Sequence, residues 1–309
     1  MAHALARGRR LLLPGQLRAR MKIAITGAAG FLGCELTKFY FGKEDLVLIV
    51  RPQQKKFFFA ACGGTEVIKF DFLKHSTSCL ASGLKSCDVV IHTAHSLKLP
   101  PSLPAELLKT YQQVNPRGLF VYIGSLNTII PALASDPYTR YKKECEEKLL
   151  NVSRDIPLLV IRPSFIVSPN VLGRLETVVN IAKKLHMVFL LTPGPSHYFL
   201  PVRFLAEEMD QEMRSLMGRN KTKVLNIVGN NLTRLSELIK RTILGNNIHA
   251  IFIPISTRAI RSVIRLIPIR LKFLESKMKL LNNVVYEIPS EHPSRRSNLD
   301  IDEMIVRFS

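Results

Sequence analysis

The stretch MKIAITGAAGFLG, Met21 to Gly33, limits what this chain can fold into more than any other. Its first half is apolar and β-prone. Its second half sets Gly27, Gly30 and Gly33 three residues apart, and a helical pattern, FLGCELTKFYFG, follows to about Gly42. A strand that runs through a glycine turn into a helix presents free N–H groups and the positive end of the helix dipole to an anion. The first glycine permits the tight turn, the second lets a pyrophosphate approach the backbone, and the third allows the helix to lie close to the strand. A plain structural turn uses the same residues, and the context decides between the two.

That context is a repeated strand–helix rhythm. KIAIT, LVLIV (Leu46–Val50), TEVIKFDF (Thr65–Phe72), DVVIHTA (Asp88–Ala94), LFVYIGS (Leu119–Ser125) and IPLLVIRPS (ending at Ser164) read as strands. LPAELLKTYQQV and YTRYKKECEEKLLNV read as helices between them. Strands that are apolar throughout, alternating with helices, imply an α/β fold with a doubly wound parallel sheet covered on both faces. After Pro169 the rhythm loosens: YFLPV and KVLNIVGN read as strands, and TRLSELIKRTIL as a helix capped by Thr233. The expected organisation is a basic leader over 1–20, a dinucleotide-binding domain over 21–168 to which a strand at 223–230 returns, and a smaller C-terminal substrate lobe from 169–222 and 231–309.

Tyr138 and Lys142 lie four apart, so on a helix they share one face. An ammonium beside a phenol stabilises its anion and turns it into a usable acid/base for an alcohol or keto oxygen. Ser125 precedes Tyr138 by thirteen positions and ends a strand, where its hydroxyl can hold the same oxygen. An ordinary amphipathic helix also yields Tyr-x-x-x-Lys; the glycine turn at the right distance favours the catalytic reading.

Together these segments resemble the short-chain dehydrogenase/reductase superfamily, in its extended NAD-dependent epimerase/dehydratase branch. TGAAGFLG resembles its cofactor fingerprint, VIHTA its small-residue strand end, FVYIGS the strand bearing its serine, PYTRYKKECEE its Tyr-x-x-x-Lys helix and VIRPSFIVSP its Arg-Pro strand end. The resemblance runs from Met21 to about Asn231. It implies a Rossmann-type sheet and a catalytic set of Ser125, Tyr138 and Lys142. It also implies a cofactor site of Gly27, Ala29, Gly30, Phe31, Leu32, Gly33, Arg51, Asp71, Phe72, Thr93, Ala94, Tyr138, Lys142, Pro163, Phe165 and Ile166. Lys142 would bind the nicotinamide ribose, Asp71 the adenine amine, and Pro163–Ile166 would line the nicotinamide. Members that prefer NAD end the second strand in an acid; here Arg51, with Lys55 and Lys56 close behind, suits the 2′-phosphate of NADP, with NAD as the alternative and solvated surface charge as the competing account.

The chain departs from that pattern at Ser168-Pro169 and over Val202–Ala206, where Arg203 is a candidate for a substrate phosphate. His92 and His95 read as packed or surface histidines. The implied activity is hydride transfer at a hydroxyl or keto carbon, of a nucleotide sugar or, alternatively, of a non-sugar ketone or alcohol. A dinucleotide-binding scaffold without chemistry is the non-enzyme alternative. The family often dimerises, so a homodimer is a further expectation.

Composition adds bounds. The 309 residues are 47% apolar, enough for a sizeable core. The five cysteines, Cys34, Cys62, Cys79, Cys87 and Cys145, lie far apart, with no metal-ligand or redox-pair spacing, and read as reduced cytosolic thiols; no metal site is implied. The net charge is +20, and the first twenty residues contribute five arginines and no acid. That leader reads as an extension upstream of a start at Met21, or as a mitochondrial presequence; its apolar run is too short and broken for a secretory signal. The expected location is cytoplasmic, with the mitochondrion as the alternative. The basic, apolar stretch over 256–281 suits a substrate-lobe helix or a peripheral membrane contact. Charge alone carries no specific nucleic-acid binding: there is no recognition motif and no tryptophan.

Overall fold

The computed structural model describes residues 19–53, 64–153, 156–168, 175–192, 194, 196–230, 232–256 and 294–296. Residues 1–18 of the leader, Lys55, Lys56, Cys62, Pro169 and 257–281 of the basic stretch lie outside the described residues. The chain runs β1 (Lys22–Thr26), α1 (Phe31–Tyr40), β2 (Asp45–Val50), β3 (Thr65–Lys69), α2 (Ala81–Leu84), β4 (Val89–His92) and α3 (Leu103–Val114). It continues through β5 (Leu119–Ile123), α4 (Pro137–Asn151), β6 (Leu158–Pro163), β7 (Phe165–Val167), α5 (Leu175–Leu185), β8 (Met187–Thr192) and β9 (Ser196–Pro201). The last elements are α6 (Val202–Leu216), β10 (Thr222–Val228), β11 (Leu232–Arg234), α7 (Leu235–Gly245), β12 (Ile251–Ser256) and β13 (Ser294–Arg296).

An eight-stranded sheet in the order β3-β2-β1-β4-β5-β6-β10-β13 organises the molecule. Every pairing in it is parallel. Its inner strands are apolar on both faces because both faces are covered. On one side Ile23, Ile25, Leu36, Leu48, Val121, Leu205 and Met209 form a core under α1 and α6. On the other, Ala24, Val47, Leu107, Tyr111, Phe120, Cys145 and Leu149 form a core under α3 and α4. Each fully buried Leu or Ile contributes on the order of 1.5–3 kcal/mol, so these two layers supply most of the drive to fold.

The strand order reverses at β1. The chain first winds outward through β2 and β3, then crosses to β4 on the other side. Doubly wound sheets open a crevice at the carboxyl ends of the strands at such a point, and the glycine turn lies there.

The C-terminal part adds two small sheets. β7 pairs parallel with β9, and β11 pairs antiparallel with it. β8 and β12 form a parallel pair whose buried residues Val188 and Leu190 pack with Val179, Ala182 and Ile243 of α5 and α7. Two local expectations need correction. Thr233 does not cap the last helix: it is paired with His197 in β11, and α7 starts at Leu235 behind Arg234. The third strand stops at Lys69 rather than Phe72, because the Asp71 carboxylate accepts from the Leu73 N–H at 3.0 Å and bends the chain into a turn.

Candidate active site

The glycine turn is held from both sides. The N–H groups of Gly27 and Ala28 donate to the Ile49 carbonyl of β2 at 3.0 and 3.3 Å. Gly27 has φ +69°, and a Cβ there would stand 2.8 Å from the Ala94 backbone, so conformation and space both demand glycine. A Cβ on Gly33 would collide with the Gly27 carbonyl and lie 2.8 Å from Ala28 Cα. Gly30 differs: a Cβ there meets only the Gly27 oxygen, at 3.1 Å, and otherwise faces open space. It is also the N-cap of α1 and supplies no side-chain cap, and the first turn holds no acid. The open face at Gly30 and the uncapped helix start fit the diphosphate of a dinucleotide. Ala29, Phe31 and Leu32 are half-buried around it.

The segment after β4 closes the turn. Thr93 donates through its hydroxyl to the Thr26 carbonyl at 2.7 Å, and its N–H reaches the same oxygen at 3.2 Å. His92 is buried, and burial together with the Lys142 ammonium pulls its pKa down to about 3. The neutral ring shares a hydrogen bond between Nδ1 and the Thr26 hydroxyl, 2.8 Å away, while the Ala94 N–H donates to that hydroxyl oxygen at 3.4 Å. Arg51 follows β2 directly and is exposed. Asp71 is buried, and Phe72 lies edge-on to His92. Pro163 ends β6, Ile166 packs on the sheet core, and Phe165 is 38% exposed against the rings of His197 and Phe199.

The opposite wall is α4. Asp136 caps it, accepting from the Thr139 N–H at 2.9 Å and its hydroxyl at 3.1 Å, and Pro137 occupies the first turn, where its missing N–H costs nothing. Tyr138, Lys142 and Glu146 recur at intervals of four along one face. Lys142 is only 6% exposed; its ammonium donates to the Ile123 carbonyl of β5 at 2.7 Å and lies 5.1 Å from the Tyr122 ring centroid. Burial brings its pKa down to about 8, against the pull of Cys145 and Glu146 that keeps it cationic. Glu146 forms a buried ion pair with Arg162 of β6, Arg162 Nε lying 2.9 and 3.1 Å from its two oxygens. Ser125 is buried two residues beyond Ile123, its hydroxyl accepting from the Asn127 N–H at 3.3 Å.

The structure thus brings Ser125 and the Lys142 ammonium to the carboxyl end of β5, with Tyr138 one turn before Lys142 on α4. His95, read from sequence only as a packed or surface residue, sets its ring 5.0 Å from that of Tyr138. Arg203 stands apart. It is 81% exposed on α6 and paired with Glu207 one turn on, at 2.9 Å. The Glu146–Arg162 pair also went unread in the sequence, although its two signals, the third member of the Tyr138 stripe and the residue before Pro163, were both visible.

No family model matches the chain, and no curated protein matches it. Solved structures do. WbmG of Bordetella bronchiseptica, in complex with NAD and UDP, is similar over 95% of this chain and 94% of its own, with a TM-score of 0.68 at 16% identity. The dTDP-glucose 4,6-dehydratase of Bacillus anthracis, in complex with NAD, covers 76% of this chain and 85% of its own, with a TM-score of 0.63 at 15% identity. The UDP-N-acetylglucosamine 4-epimerase of Bacillus cereus covers 76% and 84%, with a TM-score of 0.59 at 15% identity. The chain thus shares the Rossmann-type fold of these solved NAD-dependent epimerase and dehydratase structures.

Proposed function

We propose, from a fold held in common with nucleotide-sugar epimerases and dehydratases, that this protein is an NAD(P)-dependent oxidoreductase acting at a hydroxyl or keto carbon, with a nucleotide sugar as substrate. The observation that carries the reading is the tether of the Lys142 ammonium to the Ile123 carbonyl, with Tyr138 one turn before it and Ser125 two residues past the end of that strand. The residues from Gly27 to Gly33, with Thr93 and Ala94, would hold the dinucleotide. The nicotinamide, when bound, supplies the hydride acceptor or donor. Tyr138 takes a proton from the substrate oxygen or returns it, Ser125 holds that oxygen by a hydrogen bond, and the Lys142 cation favours the phenolate. Arg51, exposed beyond β2 in a sequence segment, RPQQKK, that carries no acid, supports NADP over NAD.

One observation favours a second reading, reduction of a non-sugar ketone. Arg203, the candidate anchor for a diphosphate, is engaged by Glu207 on an exposed helix face.

The test is a melting-temperature screen of NAD, NADP and UDP-sugars, followed by turnover of wild type and Tyr138→Phe. Loss of turnover by about 100-fold or more, with dinucleotide affinity kept within a few-fold, is the expected outcome. Unchanged turnover in Tyr138→Phe removes the proposal. Turnover of a plain ketone, without any response to UDP-sugars, selects the second reading.

A further inference from the structure

His95 directly follows Thr93 and Ala94, the residues that close the glycine turn, and its half-buried ring reaches across to the other wall. It meets Tyr138 with ring planes at 89° and centroids 5.0 Å apart, and Tyr141 with planes at 61° and centroids 5.1 Å apart. Tyr138 and Tyr141 are three apart on α4, so their rings are neighbours on the helix surface, and the imidazole meets both. Edge-to-face contacts between rings are directional and fix the partner's plane. We propose that His95 is a positioning residue for Tyr138, a wedge that fixes the plane of the phenol ring beside the segment that closes the Gly27 turn.

The imidazole suits this task because it is neutral. Burial and the Lys142 ammonium lower its pKa to about 4, so at neutral pH Lys142, one turn on from Tyr138, is the cation of the pair. The groups facing His95 are Tyr138, Tyr141 and Lys142 from α4 and His92 from the end of β4. A phenol free to turn would spend less time in a reactive pose, and a misplacement of about 1 Å lowers a rate by about 100-fold. The kinetic consequence rests on the oxidoreductase reading above; the geometric one does not.

The test compares His95→Phe, which keeps a ring without nitrogen, with His95→Asn and His95→Ala, which remove the ring, all in the full chain. Two readouts are taken: the Tyr138 ring resonances of the dinucleotide-free protein, assigned through Tyr138→Phe, and kcat and KM from pH 5.5 to 8.5. The proposal expects His95→Phe to keep the Tyr138 resonances near their wild-type positions, kcat within about three-fold and the pH limbs in place. It expects His95→Asn and His95→Ala to shift those resonances and to lower kcat by about 10- to 100-fold, with KM within about three-fold. Wild-type resonances in His95→Ala overturn it, as does wild-type kcat there. Equal loss in all three variants, or a moved pH limb in His95→Phe, overturns it in favour of a role for the ring nitrogens. A melting curve on each variant guards against unfolding, and should His95→Ala fail to fold, His95→Asn decides. Failure of the functional reading would show as no turnover with any dinucleotide, while the resonance arm still reports on His95.

Discussion

The two walls of the crevice are built in opposite ways. At the glycine turn the determining feature is the lack of side chains: Gly27 and Gly33 exist so that backbone can lie against backbone. On α4 the determining feature is charge taken out of water, with Lys142 bonded to a β5 carbonyl and Glu146 to Arg162. The glycines of the first wall act sterically and alike at every pH; the second wall is specified electrostatically and is sensitive to pH. Damage to one should therefore look unlike damage to the other.

The largest effect is expected on the charged wall. Glu146→Ala leaves the Arg162 guanidinium, 14% exposed, without its partner, and losing one member of a buried pair costs about 3–5 kcal/mol. A urea midpoint close to that of the wild type would erase the contrast. Next comes the steric wall: Gly33→Ala forces a methyl into the Gly27 carbonyl and should cost about 1–3 kcal/mol by overpacking, at every pH. Gly30→Ala separates shape from ligand at the same turn. With open space beyond the first contact, its cost to stability should stay under about 1 kcal/mol, while dinucleotide affinity in calorimetry falls about ten-fold, or 1.4 kcal/mol. Equal loss of stability in both glycine variants would show that Gly30 serves packing alone.

The last effect is a slope with pH rather than a fixed cost. His92 has a folded pKa of about 3 against 6.5 for a free imidazole, so below pH 6.5 the unfolded chain binds a proton that the folded chain does not. Stability from this group is complete above pH 6.5 and is lost as pH falls toward 3, by up to about 1.4 kcal/mol per pH unit. Melting curves between pH 7 and 4 should flatten in His92→Asn. An unchanged slope would assign the acid sensitivity to other groups.

The steric wall was legible in the sequence and the electrostatic one only in part. Glycines at fixed intervals between a strand and a helix announce a backbone constraint within thirteen consecutive residues. α3 could likewise be bounded by eye at Leu103–Val114, since its apolar spacing and Pro104 are local signals. The His95–Tyr138 contact has no local signal, because it arises where the end of β4 meets α4 across the crevice. The same holds for β8 and β12: their partnership pairs Ile251 with Met187, far apart in the chain, and each alone reads as an apolar run. Thr233 shows pairing overruling preference. A residue fit to cap a helix was recruited as a strand partner for His197, and a three-residue strand replaced the first turn.

The ammonium of Lys142 fastens α4 to the main chain of β5 rather than to another side chain. Main-chain atoms cannot swing aside, so the phenol one turn earlier and the serine just past that strand travel as a single piece. Any displacement elsewhere in the molecule that leaves this one bond intact also leaves the relative placement of these three residues intact: their geometry hangs on a single joint inside the sheet.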